Sequence, residues 1–102
     1  MAEVLNLPLQ IQNEAWEAIN AIIQMKNISV DYALRVGIKG SGCSGQFLLG
    51  FDLPKSTDEI FYYKNLKICI DKSHLLYLFG LEIRYEEDED GQMGFAFLKV
   101  NF

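Results

Sequence analysis

Residues 34–51 read Leu34-Arg35-Val36-Gly37-Ile38-Lys39-Gly40-Ser41-Gly42-Cys43-Ser44-Gly45-Gln46-Phe47-Leu48-Leu49-Gly50-Phe51, and the reading of the whole chain turns on them. Leu34, Val36 and Ile38 alternate with Arg35, Gly37 and Lys39, the period of two that marks a half-buried strand. Five of the eight glycines then fall between residues 37 and 50, and the apolar pattern resumes over Phe47 to Asp52. The stretch predicts a strand, a glycine-rich loop with Cys43 at its centre, and a second strand.

Working downstream, Pro54 to Glu59 reads as a polar turn. Ile60 to Tyr63 and Leu66 to Ile70 read as short strands joined at Lys64-Asn65. Asp71 to Phe79 predicts a short helix, capped by Asp71 or Ser73 and stopped by Gly80. Leu81 to Tyr85 alternates again, and Phe95 to Val100 closes a hairpin whose tip is the acidic run Glu86 to Asp90. Upstream, Ala15, Trp16, Ile19, Ile22 and Ile23 recur at helical spacing, so 14–26 predicts an amphipathic helix with Asn13 as N-cap and a stop at Asn27. Leu5 to Ile11 alternates around Pro8, which suits a short edge strand. Strand signals dominate without regular β-helix-β alternation. The expectation is a single β-rich α+β domain over 1–102: two small mixed sheets packed as a sandwich, an N-terminal helix and one short late helix. Trp16, Phe95 and Phe97 are core candidates.

Composition narrows the function. With 102 residues, 50% of them hydrophobic, and 13% aromatic, the chain can bury a core without a disulfide framework, and it is not a disordered sequence. A net charge of -5, with Lys and Arg scattered singly, argues against a nucleic-acid partner. No apolar run approaches the roughly 20 residues of a membrane span, and Met1 to Val4 shows no secretory signal, so a cytoplasmic protein is expected. Two cysteines without Cys-x-x-Cys spacing read as separate thiols.

Gly40-x-Gly42-x-x-Gly45 matches the dinucleotide fingerprint in spacing, but a strand pattern follows it instead of the helix whose N-terminus would hold a pyrophosphate. No Lys-Ser or Lys-Thr follows the glycines, and no arginine lies within six residues after Cys43, so neither a Walker loop nor a phosphatase-type thiolate is present. What stands is a cysteine flanked by Ser41, Gly42, Ser44 and Gly45, small residues that leave the sulfur open among backbone N-H groups and hydroxyls. It reads either as an accessible ligand or nucleophile, or as a small residue in a tight turn. Cys69, between Ile68 and Ile70, reads as a buried, inert thiol. His74, the one histidine, has no orienting Asn or Asp at recognisable spacing and reads as a surface residue. The acidic run lacks the spaced oxygens and central glycine of a calcium loop.

The segment Leu34 to Gly45, with its Ser41-Gly42-Cys43-Ser44-Gly45 loop after a strand, resembles the hallmark of the HesB/IscA family, the A-type iron-sulfur cluster carriers. The resemblance continues through Leu66 to Asp71, Leu75 to Gly80 and Gly94-Phe95-Ala96-Phe97. It implies a HesB-like fold and a non-enzyme that takes part in iron-sulfur cluster assembly or iron handling. Cys43 would be the thiolate ligand of iron or a cluster, cradled by Ser41, Gly42, Ser44 and Gly45. The family's Cys-x-Cys after the last strand has no counterpart in these residues, and Cys69 inherits no family role. Further ligands would come from a second copy in a homodimer, from glutathione, or from assembly and recipient proteins. The alternative is an interaction module that keeps the fold and lacks the cluster.

Overall fold

The computed structural model describes residues 7–39 and 46–99. Its elements are β1 (Gln10–Ile11), α1 (Asn13–Met25), β2 (Ala33–Lys39), β3 (Gln46–Asp52), β4 (Asp58–Tyr63), β5 (Leu66–Asp71), a 3-10 turn (Lys72–His74), α2 (Leu75–Leu78), β6 (Leu81–Glu87) and β7 (Met93–Lys99). They form two mixed sheets, β3-β2-β5-β4 and β1-β6-β7, and the fold is the β-rich α+β class expected.

The chain divides into two compact units, the first built on Val30–Phe79 and the second on Leu9–Ser29 with the segment that begins at Gly80. In the first, β2 runs antiparallel to β3 from Ala33↔Asp52 to Lys39↔Gln46 and parallel to β5 at Leu34↔Ile68 and Arg35↔Cys69. Opposed residues share a face, so Leu34, Val36, Phe61, Ile68 and Ile70 fall together and are all buried. Removing side chains of this size from water is worth roughly 1.5–3 kcal/mol each. The two-residue connection Lys64-Asn65 joins β4 and β5 as expected, with the positive φ of +56° on Lys64.

In the second unit β1 pairs parallel with β6, and β6 pairs antiparallel with β7. The helix α1 buries Ala15 and Ile19 at i, i+4 spacing. Asn27 ends it in the left-handed region at φ +50°, and the Ile28 N-H donates back to the Ile23 carbonyl.

Several boundaries differ from the sequence reading. Asn13 is the first helical residue, and the N-cap is Gln12, whose side chain makes no capping bond. The late helix is a 3-10 turn followed by four α-helical residues, because the Asp71 carboxylate accepts from the Ser73 N-H and tightens the first turn. The turn expected to last to Glu59 gives way to β4 at Asp58. Of the strand expected over Leu5 to Ile11, the described residues form only Gln10–Ile11, and Pro8 lies in a bend before it. Trp16, Phe95 and Phe97 are half-buried rather than central to either core.

Candidate functional site

Residues 40–45 link Lys39 to Gln46, the last register pair of the β2–β3 hairpin. Cys43, Ser41, Gly42, Ser44 and Gly45, the residues read as the site, lie outside the described residues. The structure does fix the end of β2 that leads into residues 40–45. The Ile38 N-H donates to Nδ1 of His74 at 3.3 Å, and Gly37, buried and without a Cβ, leaves the space that the imidazole occupies. His74 is therefore half-buried against β2, a correction to its reading as a surface residue.

One step further down β2, Arg35 makes a bidentate pair with Asp58, Nη1 to Oδ1 at 2.8 Å and Nη2 to Oδ2 at 2.7 Å, and donates from Nε to Asp52 Oδ2 at 2.8 Å. The Asp58 side chain is fully buried, and its Oδ2 also accepts from the Lys55 N-H at 2.7 Å. Charge-assisted bonds of this kind are the strong ones. They hold the Asp58 carboxyl below its ordinary range against the opposing effect of burial, and Asp52 is lowered chiefly by the same arginine. Arg35 in turn is raised, first by its bond to Asp58. The cluster ties β2, β3 and β4 together. Sequence reasoning missed it, although one signal was there: a charge in the middle of an apolar strand, with Asp52 just before the polar turn that follows the next strand and Asp58 within it.

Cys69 stands opposite Arg35 in the register and is completely buried. Burial pushes its thiol pKa up, and the nearby Arg35 charge offsets this only in part. The thiolate is the form that ligates metal or attacks, and burial disfavours it at Cys69, in keeping with its strand context. Among the described residues no three His, Cys, Asp or Glu side chains converge on a point that could hold a metal ion. None of their helices is long and apolar enough to cross a membrane.

No protein-family model matches the chain. It is 39% identical over 75 residues to an uncharacterized protein of Synechocystis, which aligns 70% of this chain and 63% of that one. Identity to the iron-sulfur cluster insertion protein ErpA of Xylella fastidiosa is 36% over 89 residues, 85% of this chain and 69% of the relative. The iron-binding protein IscA of Klebsiella pneumoniae is 30% identical over 97 residues, 93% and 88% of the two chains. Among solved structures, an Aquifex aeolicus protein studied by solution NMR superposes with a TM-score of 0.69 at 29% identity, covering 98% of this chain and 99% of that one. A crystal structure of IscA with the 2Fe-2S cluster gives a TM-score of 0.67 at 24% identity over 91% and 86% of the chains, which speaks for the fold. On sequence identity across most of its length, and with a fold that agrees, the chain belongs to the HesB/IscA family, with ErpA and IscA among its relatives.

Proposed function

We propose that this protein carries iron or an iron-sulfur cluster as cargo during cluster assembly, with Cys43 as its thiolate ligand and Ser41, Gly42, Ser44 and Gly45 as the cradle. One observation carries the reading: of the two cysteines in the chain, Cys69 is sealed inside β5, which leaves the cysteine of the glycine loop. The relatives support it, since one is named for cluster insertion and another for iron binding, and a solved IscA holds a 2Fe-2S cluster.

A cluster is held by four thiolates or their equivalents, more than one Cys43 supplies by itself. The remaining ligands come from a second copy, from glutathione or from an assembly or recipient protein. Incomplete ligation suits a carrier, because an exchangeable outside ligand is the point at which a recipient's thiolates take over the cargo. No bond of an organic substrate is made or broken, so the protein is not an enzyme, and its thiol chemistry belongs in a reducing cytoplasm. A second reading, an interaction module without a cluster, draws on an apolar groove of about 460 Å³ in the first unit, lined by Phe61, Leu75, Leu76 and Phe79. Leu76 and Phe79 are 81% and 58% exposed beside it.

Anaerobic reconstitution with iron and sulfide, followed through gel filtration by visible absorption, separates the two. The carrier reading expects a labile chromophore that is retained with glutathione, fades without it, and passes to an added apo-protein with vacant cysteines. No chromophore under any thiol condition contradicts the carrier reading and favours the interaction module.

A further inference from the structure

β2 runs on beyond its parallel neighbour. Its register with β5 covers Leu34↔Ile68 and Arg35↔Cys69, after which β5 ends at Asp71 and the chain turns into Lys72–His74. A strand that outlives its partner is left with amide groups needing other acceptors. Here the substitute is a side chain, Nδ1 of His74, which accepts from the Ile38 N-H at 3.3 Å.

Two features hold the ring there. Asp71 Oδ1 accepts from both the backbone N-H and the hydroxyl of Ser73, at 2.9 and 2.7 Å, and this sets the tight turn that delivers residue 74 to β2. At Gly37 an added Cβ would come within 3.1 Å of His74 Nδ1 and 3.6 Å of Cε1, so a bare α-carbon is what admits the ring. The bond also fixes the tautomer. A backbone N-H can only donate, so Nδ1 presents its lone pair and the neutral ring carries its proton on Nε2. In that state Nδ1 is not free to act as a base, and the protonated Nε2 does not ligate a metal.

The remaining role is mechanical. Ile38 pairs with Phe47, and the next pair, Lys39↔Gln46, is the last before the segment that contains Cys43. We infer that His74 is a positioning residue for Cys43, acting through the Ile38 amide by anchoring the end of β2 that leads into residues 40–45. The inference rests on Cys43 being the working thiol, and it assigns His74 no contact with the cargo.

The test uses iron-free, full-length protein, so that its outcome is independent of whether a cluster binds. Two readouts are followed, hydrogen exchange at the Ile38 amide and the alkylation rate of Cys43. His74→Phe keeps a ring without the acceptor, and His74→Ala removes the ring should Phe prevent folding. His74→Asn returns a side-chain acceptor near the Nδ1 position. Losing one hydrogen bond should speed Ile38 exchange by about tenfold, raise Cys43 alkylation by up to the same factor, and leave Cys69 unmodified. His74→Asn should restore both toward the wild-type values. Gly37→Ala should shift both readouts in the same direction as His74→Phe, because its methyl crowds the ring. Unchanged Ile38 exchange in both His74→Phe and His74→Ala, or unchanged Cys43 alkylation where exchange has risen, would overturn the inference. An Asn variant that folds but restores neither readout would overturn it too. If wild-type protein binds no iron while these shifts appear, the carrier reading fails and the anchoring role stands.

Discussion

Arg35 and Cys69 face each other across β2 and β5, and between them they show how a strand can hold a charge next to a buried thiol. The guanidinium is satisfied by Asp58 and Asp52, and burial, the largest effect on Cys69, favours its neutral thiol over the thiolate that the Arg35 charge would favour. Asp58 has a lower pKa folded than unfolded, so its contribution to stability is complete above the unfolded value of about 4 and is lost as pH falls through that value toward the folded one. Thermal melts between pH 3 and 7 should therefore show a midpoint that falls steeply below about pH 4. Asp58→Asn should start less stable at pH 7, by about 2 kcal/mol, because Arg35 loses its charged bidentate partner. Its acid slope should be shallower, and an acid slope equal to wild type would mean the pair is not what titrates. At this scale the sequence was only half legible. Cys69 declared itself through its aliphatic neighbours, while Asp58 and His74 owe their roles to partners 23 and 36 residues away, which no local pattern encodes.

Among the elements, the β6–β7 hairpin shows what patterning captures and where it stops. Alternation placed both strands, but the acidic run does not form the tip as a block. Glu86 and Glu87 pair with Gly94 and Met93 at the end of β6, and the turn proper runs from Asp88 to Gln92. Within it Asp88 Oδ1 accepts from the N-H groups of Asp90 and Gln92, at 2.9 Å each, and Gly91 takes a φ of +81°. Exposed carboxylates tolerate replacement within about 0.5 kcal/mol, so Glu87→Ser and Glu89→Ser should barely move the melting temperature. Asp88→Ala should lower it by a few degrees, because two turn amides lose their acceptor. Equal effects at all three positions, or a calcium-dependent rise in the wild type, would show that the carboxylates act together. The late helix forms with Asp71 as its cap, and only its 3-10 start departs from the reading, for a related reason. Asp71 and Ser73 were both visible as capping residues, yet the geometry that makes them a 3-10 turn comes from β5 ending beside β4, where the Lys72 N-H finds the Thr57 carbonyl at 3.0 Å.

For the molecule as a whole, two mixed sheets and one long helix were legible because their periods are local, and the family was legible because its loop sequence is distinctive. The claim that matters most is that the working thiol is Cys43 and that Cys69 is structural. Iron retained per chain after anaerobic loading with iron, sulfide and glutathione, then desalting, tests this most directly in three proteins: wild type, Cys43→Ser and Cys69→Ser. Equal iron in wild type and Cys69→Ser, with none in Cys43→Ser, is the predicted result. Iron retained by Cys43→Ser, or lost from a folded Cys69→Ser, would contradict it.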